Sequence, residues 1–177
     1  MMTVTIKGLE QIIAKSEQFA RKKLPSSTAV AINRVARQAM RKSTRAVAKD
    51  VKVPTKLVRS RARLKQKATT RKLIAQISVN RGNLPMYRLI SDANKSVHAS
   101  KGQIRVGQHR VQRGFIQTLK NGRKQVMSRQ GNDRYPIDVV KIPLAAPLTN
   151  AFHRELKDYE SQIKVELIKT LSSALRR

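Results

Sequence analysis

The stretch GFIQTLKNGRKQVMSR, residues 114–129, carries the strongest structural signal in the chain. Two runs rich in strand-forming residues, 115–119 and 123–127, flank the pair Asn121-Gly122. Both residues of such a pair tolerate the positive φ angles of a type I′ turn, so the stretch predicts a β-hairpin. The hairpin places an antiparallel sheet near the middle of the chain.

Further strands are predicted on both sides of this hairpin. Apolar and polar residues alternate over Arg71–Asn80, and shorter strand patterns cover Gln103–Val106 and Ile137–Ile142. Residues 91–102, SDANKSVHASKG, are polar and aperiodic, which is typical of a mobile loop. The pattern therefore predicts a sheet interrupted by one loop in the middle of the chain.

Helices are predicted before the sheet. Apolar residues at helical spacing predict one helix from Leu9 up to a stop at Pro25, and a second that Ser26 or Ser27 caps. The second helix has a stripe of small and medium residues on one face, which permits close packing. Proline is favoured in a first helical turn, so a third, short helix is predicted over Thr55–Leu64.

The chain ends in an amphipathic pattern. From Phe152 to Leu175 apolar residues follow one another in steps of four and three, which predicts one long helix that begins at Pro147. The predicted fold class is α+β, with N-terminal helices, a central antiparallel sheet with a β-hairpin, and a long C-terminal amphipathic helix.

The length of 177 residues suits a single domain. We expect three parts within residues 1–177: a basic helical part (1–70), a sheet part (71–145) that contains the loop, and the C-terminal helix (146–177).

Charge dominates the composition. Lys and Arg number 39 against 10 Asp and Glu, a formal net charge of +29, and no acidic residue occurs between Asp50 and Asp92. So dense a cluster repels itself unless an anion neutralises it, which favours polyanion contact over a merely solvated charged face. The side chains predicted to make this contact are Lys56, Arg59, Arg61, Arg63, Lys65, Lys67, Arg71 and Lys72.

The same composition narrows the kind of contact. Binders of single strands stack bases on aromatic rings, and the chain has three Phe, three Tyr and no Trp. Contact with the phosphate backbone, independent of base sequence, is a better interpretation than base stacking.

Catalytic and metal chemistry are disfavoured. The chain has no Cys, and its three His are not at ligand spacing. The carboxylates Asp133 and Asp138 flank a Tyr-Pro turn and are better explained as neutralising Arg134 and Lys141. We expect no enzyme activity and no cofactor. Because no apolar run approaches about 20 residues, we also expect no membrane span.

Several motifs resemble one family in order along the chain. The stretch at 114–129 and NDRYPIDVVKIPLAAPLT at 132–149 are similar to the most characteristic region of the minor tail protein Z family of long-tailed phages. Further similar segments are IKGLEQ (6–11), AINRVA (31–36), KLVRSRARLK (56–65) and VNRGNLP (79–85). The loop at 91–102 resembles the family least.

The resemblance implies a structural virion protein without catalytic residues. Such proteins complete the head-proximal end of a siphophage tail, are needed for head–tail joining, and are associated with seating the DNA end. The implied partners are tail terminator, tape measure and neck or head-completion proteins and the genomic DNA end, with assembly in the host cytoplasm. Six copies are the first guess, since tubes and terminators of such tails are sixfold.

Subunit contacts are expected on the sheet and on the apolar seam of the last helix. The residues predicted to make them are Phe115, Ile116, Tyr135, Pro136, Ile137, Phe152, Leu156, Tyr159 and Ile163.

Two other functions explain the charge. A cellular or ribosome-like nucleic-acid-binding module needs the cations alone and no phage component. An assembly scaffold uses them against an acidic protein ring instead of DNA.

Overall fold

The computed structural model describes residue 17 and residues 19–90, 97–100 and 102–175. Within these ranges helices and strands both occur, and the strands of the sheet region pair antiparallel, so the predicted α+β class is confirmed. Most of the first predicted helix lies outside the described residues.

The elements follow in chain order. A π-helical turn at Phe19–Lys23 precedes the α-helices, which are α1 (Leu24–Asp50), α2 (Thr55–Arg59), α3 (Tyr87–Ile90), α4 (Ala145–Leu156) and α5 (Tyr159–Leu175). The first strands are β1 (Ala62–Gln66), β2 (Gln76–Val79), β3 (Leu84–Pro85), β4 (Val97–Ser100) and β5 (Gln103–Val106). The later strands are β6 (His109–Gln112), β7 (Gly114–Thr118), β8 (Lys124–Arg129), β9 (Ile137–Val139) and β10 (Lys141–Ile142).

Contacts divide the chain into two compact units, each assembled from separate segments. The first consists of Met1–Arg41, Arg63–Ser78 and Glu155–Arg177, and the second of Lys42–Ala62 and Val79–Arg154. The expected single domain over residues 1–177, with its three parts, stays a prediction.

In the first unit, the beginning of α1 buries small side chains. Ala31, Val35, Ala36 and Ala39 are each at most 6% exposed, as the predicted stripe requires. The predicted stop at Pro25 is wrong: the π-helical turn Phe19–Lys23 leads directly into α1, and Pro25 lies in the first turn of α1.

The strands β1 and β2 form a two-stranded sheet, and both differ from prediction. The helix predicted over Thr55–Leu64 ends at Arg59, and Ala62–Gln66 is a strand instead. The strand predicted over Arg71–Asn80 forms its ladder only from Gln76. Pairing between segments distant in sequence overrides the local helical spacing here.

The C-terminal helix is interrupted. The single helix predicted from Pro147 is wrong, because α4 ends at Leu156 and α5 begins at Tyr159. The side-chain Nε2 of Gln162 donates to the carbonyl of Glu155 at 3.1 Å. This hydrogen bond links the first turn of α5 to the last turn of α4. The apolar spacing continues across the break, which is why the pattern does not reveal it.

In the second unit, β7 and β8 form the predicted hairpin, with Gly114 opposite Ser128 and Thr118 opposite Lys124. The turn type differs from prediction. Gly122 N donates to Leu119 O at 2.9 Å and has φ 74°, while Asn121 is not among the residues with positive φ. This is a three-residue loop closed by a left-handed glycine, not a type I′ turn.

The predicted strand over Ile137–Ile142 is divided between two sheets at Val140. Strand β9 pairs with β8, whereas β10 pairs with β3. Val140 connects both sides, donating to Val126 O and accepting from Met86 N, each at 3.0 Å.

The remaining sheet of this unit has the order β4-β5-β6. Strand β5 confirms the prediction for Gln103–Val106. The loop predicted over 91–102 is wrong for Val97–Ser100, which form β4 and pair with β5. Residues 91–96 and 101 of that prediction lie outside the described residues.

The core of the second unit is aliphatic, and its largest fully buried side chains include Leu89, Leu144 and Leu148. The buried Ser43 hydroxyl donates to Ala151 O at 3.3 Å, so this core contains a satisfied polar contact. None of the helices in the described ranges has the length and apolar content needed to cross a bilayer.

Candidate polyanion-binding surface

The eight basic residues predicted to contact a polyanion are divided between the two compact units. Lys56 and Arg59, on α2 in the second unit, are exposed. The short α2 turns its apolar side inward through Val58, which is fully buried. The helix predicted over Thr55–Leu64 is therefore confirmed as far as Arg59.

Arg61, in the same unit, differs from its neighbours because it is half-buried. Its Nη1 donates to Gly82 O at 2.7 Å and its Nη2 to Asn83 O at 3.4 Å. The backbone N of Asn80 also donates to Arg61 O at 2.8 Å. Arg61 thus holds the turn after β2, a structural role that the charge pattern did not predict.

The first unit contains the other five cations, and its strand β1 arranges three of them. Arg63, Lys65 and Lys67 are exposed, whereas Leu64 and Gln66 between them are half-buried. We call these three cations the cation row. Because side chains alternate along extended backbone, neighbouring members lie about 7 Å apart on one face. A helix would have spread them around its axis.

Both ends of this segment are anchored. Ala68, directly after the cation row, is 5% exposed and is hydrogen-bonded to the side chain of Asn33 through both its N and its O. Thr69 N then donates to Lys72 O, and Lys72 N to Thr69 Oγ1, which closes a turn. That turn presents Arg71 and Lys72, both exposed.

The positive charges of the cation row are not balanced by acidic side chains of the described residues. Within the described ranges none of its three members has an ion pair; the ion pairs of the first unit include Arg34–Glu166 at 3.6 Å and Lys169–Glu166 at 3.5 Å. Exposed, unneutralised cations at regular spacing match the needs of a phosphate-binding surface.

The predicted subunit-contact residues of the second unit differ in accessibility. Tyr135 is 67% exposed, Ile116 is 37% exposed and Pro136 is exposed, while Phe115 and Ile137 are half-buried. The ring of Phe115 lies 5.2 Å from the guanidinium carbon of Arg129. Phe152 is only 8% exposed and belongs to the core of its own unit, and its role as a contact residue stays a prediction.

The other three predicted contact residues, Leu156, Tyr159 and Ile163, lie in the first unit and line an apolar groove there. Sequence reasoning found these three but not Leu73 and Ile74, which line the same groove. It also missed Asn33, whose only signal is a polar residue beside an apolar stripe.

Nothing in the described residues gathers three His, Asp or Glu side chains into a metal-binding group. His98, His109 and His153 lie on β4, β6 and α4. The arrangement of the described cations supports anion binding and offers no grouping suited to bond-making chemistry.

Comparison with known proteins gives a consistent result. The family model described as "Prophage minor tail protein Z (GPZ)" matches residues 6–177. The chain is 46% identical over 180 residues to a protein named "Tail completion protein" of Escherichia phage N15, covering 98% of this chain and 97% of the relative. It is 43% identical over 171 residues to "Tail completion protein Z" of Escherichia phage lambda, covering 87% of each. No solved structure matches the chain.

Both relatives are named as tail completion proteins, which confirms the prediction of a non-enzymatic protein. A match that covers nearly every residue also confirms the resemblance drawn from the motifs. The chain belongs to the prophage minor tail protein Z family.

Proposed function

We propose that this chain is a tail completion protein, a structural component of a siphophage virion. The support is an identity of 46% and 43% with two tail completion proteins, spread along nearly the whole of both chains.

In finer terms, the protein acts at the head-proximal end of the tail, where head–tail joining and seating of the DNA end take place. Its partners there are tail terminator, tape measure and neck or head-completion proteins, and it assembles in the host cytoplasm, with six copies as the first guess. It contacts the DNA end without reading base sequence.

The observation that carries the DNA contact is the cation row. Arg63 and Lys65 are exposed on β1 and Lys67 is exposed directly after it, and the chain has no acidic residue between Asp50 and Asp92. Phosphate contacts of this kind fix position and carry no sequence information, as a protein at an arbitrary DNA end requires. We propose that Lys56, Arg59, Arg71 and Lys72 add further phosphate contacts.

The salt dependence of binding tests this contact. Each phosphate contact contributes about −0.9 to the slope of log K against log salt. Changing Arg63, Lys65 and Lys67 together to Ala is expected to make the slope shallower by about 2.7 on duplex DNA. The measurement is fluorescence anisotropy over a salt series with two unrelated duplex sequences, which are expected to bind equally.

A matched control removes one Arg and two Lys elsewhere. Arg110, Lys120 and Lys124 are exposed in the second unit, so their triple Ala variant has the same net charge as the test variant. If the slope becomes shallower by the same amount in both triple variants, only net charge matters and the cation row has no special role. An unchanged slope in the test variant would exclude the row from the DNA contact.

Complementation tests the tail completion role itself. Phage that lack this protein are expected to polymerise tail tubes but to yield few infectious particles, and the wild-type chain supplied in trans restores them. Equal numbers of infectious particles with and without the chain would refute the role. Restoration by the cation-row variant to the wild-type level would instead favour a scaffold that binds protein rather than DNA.

A further inference from the structure

The apolar groove lies in the first unit, has a volume of about 570 Å³ and is open on one side. One wall comes from α1, through Ile32, Val35 and Ala36. The other walls come from the segment leading into β2 and from the chain around the start of α5. Their lining residues are Leu73, Ile74, Ala75, Ile77, Leu156, Tyr159 and Ile163.

Large apolar side chains in this groove are exposed to an unusual degree. Ile74 is 57% exposed, Tyr159 47% and Leu73 42%. By contrast, the α1 residues Val35 and Ala36 on the opposite wall are at most 6% exposed. Isolated exposed aliphatic residues are common, but a contiguous group lining a concave surface marks an interaction site.

The backbone next to these side chains adds a second feature. The alternating pattern predicts a strand from Arg71, yet in the described chain the ladder begins only at Gln76. Leu73, Ile74 and Ala75 therefore lie directly before β2 and outside its ladder. A segment of this kind offers main-chain donors and acceptors to an added strand, while the apolar lining offers pockets for its side chains.

The charge around the groove selects the partner. The segment Arg63–Ser78 contributes five basic side chains to this unit and no acidic one, and Arg71 and Lys72 directly precede Leu73. Asp158 and Glu160 flank Tyr159, so the positive charge belongs to the wall that contains Leu73 and Ile74. Another copy of this chain brings an excess of cations rather than carboxylates to that wall, which favours a different protein over a further copy as the occupant. Nucleic acid would bring negative charge but no aliphatic side chains to cover the apolar residues that line the groove.

We propose that this groove binds an amphipathic segment of another protein, aliphatic on one side and acidic on the other. The aliphatic side chains cover Leu73, Ile74 and Tyr159, and the carboxylates meet the flanking Arg71 and Lys72. This interaction goes beyond the DNA contact proposed above and is independent of it.

The test uses the full chain and three fluorescein-labelled synthetic peptides of equal length. The first alternates Leu with Glu, the second replaces every Glu with Lys, and the third replaces every Leu with Ser. The first is expected to bind at least tenfold more tightly than either of the others, measured by anisotropy at physiological salt.

Two variants with the same chemical change locate the binding. Ile74→Asp is expected to weaken the binding of the first peptide by about tenfold or more, since it places a carboxylate where an aliphatic contact is buried. Ile168→Asp, at a position that is 68% exposed and outside the lining of the groove, is expected to leave binding unchanged. A second groove variant, Leu73→Ser, weakens binding without adding charge, and circular dichroism checks that each variant is folded.

Other outcomes overturn the proposal. Equal binding of the first peptide to wild-type chain and to both groove variants would mean that charge alone attracts it. No binding to the wild-type chain would exclude an open site for such a segment. If deletion of residues 2–16 is required before the peptide binds, the groove is occupied by the chain itself. DNA affinity measured on Leu73→Ser, expected to be unchanged, separates this result from the function of the cation row.

Discussion

The side-chain amide of Asn33 pairs with the backbone of Ala68 as another backbone would, donating from Nδ2 to Ala68 O at 2.8 Å and accepting from Ala68 N at 2.9 Å. Asn33 is half-buried on α1, and Ala68 follows the cation row. One side chain thus attaches the basic segment of the first unit to the helix that forms its core.

Replacement of Asn33 by Ala is therefore expected to destabilise the protein by about 1–3 kcal/mol, because it leaves both backbone groups of buried Ala68 without partners. Asn33→Asp is expected to cost a similar amount, since a carboxylate accepts from Ala68 N but cannot donate to Ala68 O. Urea denaturation measures the free energy of unfolding. Gln38→Ala, an exposed position on the same helix, is the control, and an equal loss there would refute the special role of Asn33.

Arg59 and Arg61 are expected to respond differently to the same substitution. Arg61→Ala removes the donor to Gly82 O and should lower the free energy of unfolding by about 1–2 kcal/mol. Arg59→Ala, at an exposed position, should change it by less than about 0.5 kcal/mol. Thermal and urea denaturation distinguish the two, and comparable stability of both variants would contradict the structural role assigned to Arg61.

The small-residue face of α1 predicts a steric limit. Ala39 is 2% exposed, so Ala39→Leu is expected to destabilise by about 1–3 kcal/mol through overpacking. Gln38→Leu introduces the same side chain at the neighbouring exposed position and should be close to neutral. If Ala39→Leu proved neutral as well, α1 would not be closely packed at this point.

Two glycines of the hairpin are expected to be required for different reasons. Gly122 has φ 74° and open space where a Cβ would stand, whereas a Cβ on Gly114 would lie 2.9 Å from Val111 Cγ1. Gly122→Ala should cost about 1 kcal/mol of backbone strain, and Asn at this position should cost less because it tolerates left-handed backbone.

At Gly114 the steric clash predicts that Ala and Asn both lower the free energy of unfolding, by about 1–3 kcal/mol for Ala. Denaturation midpoints of the four variants check this pattern. Rescue of Gly114 by Asn, or failure of Asn to improve on Ala at Gly122, would contradict the assignment of strain to one glycine and crowding to the other.

Much of the architecture follows from local signals in the sequence. The hairpin at 114–129, the strand at Gln103–Val106 and the small-residue face of α1 depend on residues that are neighbours in the chain, so their patterns suffice. The same holds for the family, whose motifs are spread along the chain. The excess of cations and the scarcity of aromatic residues likewise lead to the hypothesis of anion binding without a structure.

The errors occur where distant segments decide the outcome. The spacing over Thr55–Leu64 fits a helix as well as a strand, and β1 forms because β2 pairs with it. Val140 divides one strand pattern because β3 and β8 are both available as partners. The break at residues 157–158 preserves the apolar spacing, so periodicity alone does not reveal it.

The sequence by itself determined which residue types the protein presents, its family and its charge, because composition and short-range periodicity are properties of the chain alone. Only the tertiary structure decided that Arg63, Lys65 and Lys67 share one face, that Arg61 holds a turn, and that Leu73 and Ile74 line a groove. The physical reason is that the face a side chain occupies depends on which distant backbone its segment pairs with, and that partner is chosen by packing.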